Sequence, residues 1–354
     1  MSHCYINSVG CISIQNTSDN TQFLDEVVEY DKNIIPVIPL DYKAYIPPAA
    51  ARRMAKGVKM GVVASSLALK EAAVESPDAI ITGTGMGCLI DSEKFLAAII
   101  DNDEEFLTPT SFIQSTHNTV GAQVALGLKC NAYNFTYVHA AVSFESCLLD
   151  AQLMLNEEGA STVLVGGIDE LGPITTKYHE LVHHVKAGEI NTSKLLDSKT
   201  GGSVFAEGAA FFVLSDEKQE STYAQLIDVE IISDLSIEAL QDRVHNFLDQ
   251  NNVSSNDIDA VVLGNNGDVD YDNYYKKLQT TIFAETQQLY YKHVSGEFST
   301  ASSFGFWIAS KILKNQQIPD VLKINTIEVK TYKNILLYNQ YRGKNHSLVL
   351  IQSC

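Results

Sequence analysis

Paired cysteines, an excess of basic charge, long apolar runs and low-complexity stretches are all missing from this 354-residue chain. Its six cysteines (Cys4, Cys11, Cys88, Cys130, Cys147 and Cys354) form no CxxC pair and no metal-like spacing. Most lie in apolar stretches and read as reduced, buried thiols, which suits a cytosol and not a disulfide-built scaffold. Lysine and arginine number 25 against 43 acidic residues, a net charge of −18. That balance argues against general affinity for nucleic acid or anionic membrane, because the phosphate field would repel the chain. A local basic patch can still meet an acidic partner. No apolar run is long enough to span a bilayer, and no charged-then-apolar leader opens the sequence, so a soluble, cytoplasmic protein is expected.

What is present is an ordinary globular composition, 45% hydrophobic and 19% charged, with strand and helix patterns alternating along the chain. The alternation points to an α/β or layered architecture. "CYINSVGCISIQ" reads as a strand pair, "AARRMAKGVKMGVVASSLALKEA" as one long helix and "DAIITGTGMG" as a buried strand entering a turn. "SFIQSTHNTVGAQVAL" reads as a helix, residues 135–138 as a short buried strand, and Ser143 onward as an amphipathic helix. "STVLVGGIDE" is another buried strand, and "GGSVFAEGAAFFVLSD" closes a first half near Ser215. The remainder repeats the order of strand, turn, buried helix and closing strand, which suggests a duplication into 1–215 and 216–354.

Several short motifs invite chemistry. "HELVH", His179 to His183, would place two histidines on one helical face beside a glutamate, as zinc peptidases need. The sequence supplies no obvious third ligand, although Glu189 and Glu207 are candidates. "GTGMG" (Gly83, Gly85, Gly87) lacks the last glycine of a dinucleotide fingerprint and reads as a structural turn. The strand-to-helix turn at residues 138–143 is the place where many enzymes hold a nucleophile. Here it carries Ala140 and Ala141, flanked by His139 and Ser143 but without a GxSxG frame. Cys147 lies about 9 Å further along the helix and reads as an inert core thiol. Arg52, Arg53, Lys56 and Lys59 cluster on the expected long helix, where Arg52, Lys56 and Lys59 share a face. A solvated face explains that stripe as well as a docking site does.

Taken in order, longer stretches resemble the β-ketoacyl-acyl-carrier-protein synthases, the condensing enzymes of fatty-acid and polyketide assembly. "RRM" at Arg52 resembles the family's early helix, and "PTSFIQSTHNTVGAQVAL" the segment before its active-site elbow. "VLVGGIDE" resembles its Gly-Gly-x-(Asp/Glu) strand end. "LLDSKTGGSVFAEGAAFFVL" is similar to its Asp…Gly-Phe-Val-x-Gly-Glu-Gly-Ala block, keeping Asp197, Gly202, Val204, Glu207 and Gly208. "KHVSGEFSTASS" resembles its Lys-Ser-x-x-Gly-His block, keeping Lys292 and Gly296. The resemblance implies a thiolase-like fold, two duplicated halves packed as a five-layer αβαβα sandwich, with no cofactor and no metal. It also assigns "HELVH" to a region without a metal role.

The departures from that pattern fall on the chemistry. "TYVHAAVSF" puts Ala141 where the family has its nucleophilic cysteine, and a methyl group cannot carry an acyl chain. The family's two histidines, which donate hydrogen bonds to the thioester oxygen, fall on Asn266 (Asn265 if the register slips) and Glu297. "LYNQYRGKN" keeps only Gly343 and Asn345 of the family's flexible gate, losing two glycines. The resemblance therefore implies a subunit inactive in condensation, of the kind called a chain-length factor. Such a subunit pairs with a cysteine-bearing ketosynthase, in aryl-polyene or flexirubin-type pigment systems for example, or with itself. Arg52, Arg53, Lys56 and Lys59 would dock an acyl carrier protein, and Phe144 and His139 would border the partner's acyl tunnel. Two rivals remain: an acid–base site of Glu297, Asn266 and His139 for decarboxylation or hydrolysis, and a protein that binds acyl chains or carrier protein.

Overall fold

The computed structural model describes residues 3–354. The first half runs β1 (Tyr5–Ile12), β2 (Ile34–Ile35), α1 (Pro48–Ala51), α2 (Lys56–Glu71), β3 (Ala79–Gly83), α3 (Leu89–Asp101) and α4 (Pro109–Ser115). It continues with α5 (Thr119–Leu128), β4 (Tyr133–Tyr137), α6 (Ser143–Asn156), β5 (Thr162–Asp169), α7 (Pro173–Leu181), β6 (Phe205–Ala206) and β7 (Gly208–Ser215). The second half is β8 (Ala224–Ser233), α8 (Leu240–Gln250), β9 (Ala260–Leu263), α9 (Asn273–Gln279), β10 (Gln287–Tyr290), α10 (Lys292–Ser295), α11 (Ser302–Asn315), β11 (Asn334–Tyr341) and β12 (Asn345–Gln352).

The strand order β4-β3-β5-β7-β1 in one half is matched by β10-β9-β11-β12-β8 in the other. Directions match too. β3 runs parallel to β4 and β5, and β7 is antiparallel to β5 and β1. In the second half β9 runs parallel to β10 and β11, and β12 is antiparallel to β11 and β8. The halves join where β1 meets β8, at Tyr5 with Gln225 and Ile6 with Ala224. The chain is therefore a duplicated, thiolase-like sandwich. Its central layer is α6 and α11, whose Phe144, Cys147, Leu148, Phe304 and Trp307 share one core between the sheets. α11 is buried all round from Ser302 to Leu313, as a helix enclosed between the two halves of the sheet must be. α2 covers the outer face of the first half and α8 that of the second.

Local structure departs from sequence expectation where distant residues intervene. The expected strand pair at the start is a single strand, β1. The expected long helix over Arg52 and Lys59 breaks: α1 ends at Ala51, and α2 starts at Lys56. Gln114, from α4, accepts a hydrogen bond from the Ala55 N–H at 2.9 Å and so supports the second start. "SFIQSTHNTVGAQVAL" is likewise two helices, because Thr116 is extended and Thr119 Oγ1 turns back to the Ile113 carbonyl at 2.7 Å. The short strand before the elbow is not buried. β4 lies at the sheet edge with Tyr133 and Phe135 exposed.

Candidate functional site

Where β4 ends, the chain turns sharply into α6. The His139 N–H donates to Ser143 Oγ at 2.8 Å, while the Ser143 hydroxyl reaches the Thr84 and Ala140 carbonyls at 2.9 and 2.8 Å. The serine ties the elbow together. Ala140 adopts a left-handed backbone, φ +48°, which is uncommon outside glycine and clusters at functional turns. It is Ala140 that faces a cleft of about 220 Å³, while Ala141 is 4% exposed and turned into the core. The elbow position addressing the cleft is thus one residue earlier than the sequence frame places it. Both residues are alanine, so neither register supplies a nucleophile.

The cleft is walled by Met86, Leu89, Leu171, Phe205 and Phe298, and its polar lining includes Asp169, Glu170, His179, Glu297 and Tyr341. Asp169, at the end of β5, accepts hydrogen bonds from the Gly85 and Thr300 N–H groups and from both threonine hydroxyls, Thr84 and Thr300. That carboxylate fastens three segments of the floor. Glu170 holds the starts of α2 and α3 through the N–H groups of Gly57 and Ile90. Burial pushes its carboxyl up to about 7 despite those two bonds. Glu207 accepts from Val37 and Leu171 N–H and pairs with Lys56. It anchors backbone and lends nothing to a zinc site.

Asn266 and Glu297 do come together. Asn266 Nδ2 donates to Glu297 Oε2 at 2.7 Å, and Lys292 Nζ donates to both oxygens of Glu297 at 2.9 and 2.7 Å. Lys292 is only 1% exposed. An ammonium so deep demands a counter-charge, and Glu297 supplies it. The carboxylate is a clamped ion-pair member with both oxygens engaged, not a lone acid in an apolar pocket. Behind it Asp272 accepts from the Asn266 and Gly267 N–H groups, and burial lifts its carboxyl to about 6. Asn265, the alternative position, bonds through its side chain to this same Asp272 and not to Glu297.

The remaining expected site residues separate. His139 is exposed, 3.3 Å from Ser146 Oγ, and does not line the cleft, so the acid–base trio with Asn266 and Glu297 is not assembled. Phe144 does not line the cleft. It is fully buried between Phe212 and Phe306, each at 5.6 Å between ring centroids. Cys147 donates to the Ser143 carbonyl, and burial raises its thiol well above the usual range. Of the basic stripe, Arg52 and Arg53 are exposed in the break before α2, Lys56 is paired with Glu207, and Lys59 sits 5.7 Å over the Tyr42 ring. The four do not form one helical face.

"HELVH" resolves differently from its motif. α7 ends at Leu181 and His183 is left-handed, φ +57°, so His179 and His183 do not share a helical face. His179 Nδ1 instead meets His184 Nδ1 at 3.0 Å. Burial first, then nearby Arg342, holds both imidazoles below their usual range. Among the described residues no group of three or more metal-ligating side chains converges. Sequence reasoning passed over Glu170, His184 and Tyr341. A lysine inside the apolar run "QLYYKHVSG" was the available signal for the clamp.

The turn between β11 and β12 borders the cleft through Tyr341. Its Gly343 N–H donates to Gln340 Oε1 at 2.8 Å, Gln340 Nε2 reaches the Tyr271 carbonyl, and Arg342 lies 5.0 Å over the Tyr271 ring. Where the family has a flexible gate, this chain has a fastened hairpin.

A family model for the N-terminal domain of β-ketoacyl synthases matches residues 34–228. The chain belongs to that family. Among solved structures it is similar to the ishigamide ketosynthase/chain length factor, at 14% identity and a TM-score of 0.84, covering all of this chain and 99% of that one. A β-ketoacyl synthase from Burkholderia phymatum STM815 aligns over the full length of both chains, at 16% identity and a TM-score of 0.80. The ketosynthase ApeO in complex with its chain length factor ApeC, from Xenorhabdus doucetiae, aligns with 15% identity and a TM-score of 0.77, over all of this chain and 98% of the other. These likenesses establish the ketosynthase fold. No curated protein sequence matches. Among the described residues no helix is long and apolar enough to cross a membrane.

Proposed function

We propose that this β-ketoacyl synthase homologue is a non-catalytic, chain-length-factor-type subunit that works beside a cysteine-bearing ketosynthase in a polyketide or fatty-acid type condensing complex. The observation that carries the reading is the elbow. The residue turned into the cleft is alanine in either register, and the two positions that should donate to a thioester oxygen are locked in an ion-pair clamp with Lys292. The acid–base rival loses support because His139 lies outside the cleft. The open edge of β4 supports pairing with a second subunit, since an exposed apolar edge strand is otherwise an aggregation hazard.

Carrier-protein docking, on this reading, falls to Arg52 and Arg53, the two exposed members of the basic cluster, which make no ion pair among the described residues. A pigment pathway of aryl-polyene or flexirubin type is one setting for such a complex. Co-expression with the ketosynthases of the same genome, followed by mass photometry, tests the reading. A heterodimer is expected, and intact mass after incubation with acyl-carrier protein should show no acyl group on this chain. Homodimers alone would move an acyl-binding protein ahead, and a stable adduct would make the chain an enzyme.

A further inference from the structure

α3 ends at Asp101 and is followed by Asn102, Asp103, Glu104, Glu105 and Phe106, all of them exposed. Phe106 itself is 91% exposed. Asp103, Glu104 and Phe106 are all left-handed, with φ of 49°, 66° and 53°. Backbone hydrogen bonds from Asn102 to Ala98, Glu104 to Ile99 and Glu105 to Asn102 hold this shape. An exposed aromatic ring on strained backbone gains nothing within this chain, because no aromatic or cation contact of Phe106 exists among the described residues.

The ring is not alone. Leu96 and Ile100 on α3, and Phe112 and Ile113 on α4, are exposed as well. The Phe95 and Phe112 rings, 5.2 Å apart, hold α3 against α4. α4 packs on α5, and α5 packs on β4, so these apolar residues lie on consecutive elements leading to the open sheet edge. The four carboxylates in the segment leading to Phe106, Asp101, Asp103, Glu104 and Glu105, are exposed, and none takes part in an ion pair among the described residues.

We propose that Phe106 is an acid-collared docking residue that inserts into an apolar, Lys/Arg-rimmed socket on the partner ketosynthase subunit. The inference rests on the partner-subunit reading above. Charge chooses the occupant. An acidic carrier protein, a nucleic acid or an anionic lipid surface would be repelled by four uncompensated carboxylates, whereas a basic rim is drawn to them. Aromatic side chains that fill a desolvated socket dominate interface energetics, while the charged collar steers the encounter.

The test uses the full chain co-purified with its ketosynthase. Phe106→Ala is expected to weaken the heterodimer at least tenfold. Glu104→Lys with Glu105→Lys should slow association about tenfold at low salt and flatten its salt dependence. Asp249→Lys, an exposed charge change on α8, should alter neither. Thermal melts serve as the folding control, since the substituted side chains are exposed. If wild-type heterodimer forms and Phe106→Ala binds as tightly, this proposal fails and the subunit reading stands. Tighter binding after charge reversal would also overturn it, by showing an acidic socket. A loss confined to self-association would reassign the socket to a second copy of this chain and overturn the assignment to the ketosynthase. Absence of any wild-type heterodimer would overturn the subunit reading itself and this proposal with it.

Discussion

The two ends of the ten-stranded sheet are the same strand repeated, yet one is open and the other is closed. β10, the outermost strand of the second half, is buried along its length. The segment after α11 runs along its outer edge: the Ile324 N–H donates to the Gln288 carbonyl, Asn325 Oδ1 accepts from the Gln288 N–H, and Leu289 bridges to Lys323. β4, its counterpart in the first half, has no such cover among the described residues and exposes 45% of Phe135. The same contrast holds at the site. The second half contributes a filled ion-pair clamp and a fastened hairpin, and the first half contributes an alanine elbow beside the open edge. The second half is complete by itself. The first half leaves its edge open, and on the proposed reading that edge is where a second subunit pairs.

The largest effect should come from the closed half. Glu297→His would restore the family's residue type but leave Lys292 buried without a counter-charge. Losing one member of a buried pair typically costs about 3–5 kcal/mol, so a large fall in the urea midpoint is expected and no gain of activity. Replacing both residues, Lys292→Met with Glu297→Leu, should recover most of that loss. If Glu297→His folds as stably as wild type, the clamp is not what holds the second half together.

A matched pair of edge variants sharpens the comparison. Phe135→Lys on β4 should weaken subunit association by roughly 2–3 kcal/mol, while leaving the unfolding midpoint of the isolated chain nearly unchanged. Asn325→Ala on the cover of β10 should do the reverse. It leaves the Gln288 N–H unsatisfied and should cost about 1–3 kcal/mol of stability without touching association. Equal behaviour of the two variants would mean that the edges do not differ in role.

Titration should separate the halves too. His293, in the second half, is buried against Tyr290 at 3.8 Å, and burial pushes its imidazole down to about 3. The folded state resists its protonation while the unfolded state accepts it. Stability is therefore fully present above about pH 6.5 and is lost as pH falls toward 3. Glu170, on the first-half side, is lifted to about 7, so it acts oppositely and disfavours the fold as pH rises through 7. His293→Phe should remove about 1–2 kcal/mol of the acid-side loss between pH 7.5 and 5. Urea midpoints measured across that range decide it, and an unchanged slope would place the acid sensitivity elsewhere.

What the sequence disclosed follows a physical divide. The ordered blocks around Gly166–Gly167, Glu207–Gly208 and Lys292–Gly296 revealed the duplicated sandwich, because close backbone approach and buried charge leave marks on residue type. Gly166, for instance, has Phe211 where a Cβ would sit. The break before α2 was illegible because its support, Gln114, lies 59 residues away. Phe135 looked buried because an apolar strand reads the same whether its cover is this chain or another. "HELVH" suggested His179 with His183 because helical spacing was assumed past Leu181, where the helix in fact ends.

The smallest expected effect is also the most informative about the elbow. Two adjacent alanines gave the sequence no means of deciding which one faces the cleft. In the structure Ala140 does, with a left-handed backbone, while Ala141 is turned inward. Ala140→Cys should therefore place a thiol that iodoacetamide alkylates, and Ala141→Cys one that resists until the protein unfolds. Faster labelling at 141 would restore the later register. Neither variant should condense acyl groups. Each missing hydrogen-bond donor to the thioester oxygen is worth roughly 10²–10³ in rate, and two are missing. Asn266 Nδ2 cannot substitute without leaving Glu297, whose oxygens are held by Lys292. A reactive thiol that nevertheless produces no condensation product would locate the loss of chemistry in the clamp as much as in the elbow. Measurable condensation by Ala140→Cys alone would show that the second half had kept its catalytic capacity, and that the contrast between the halves is one of shape and not of function.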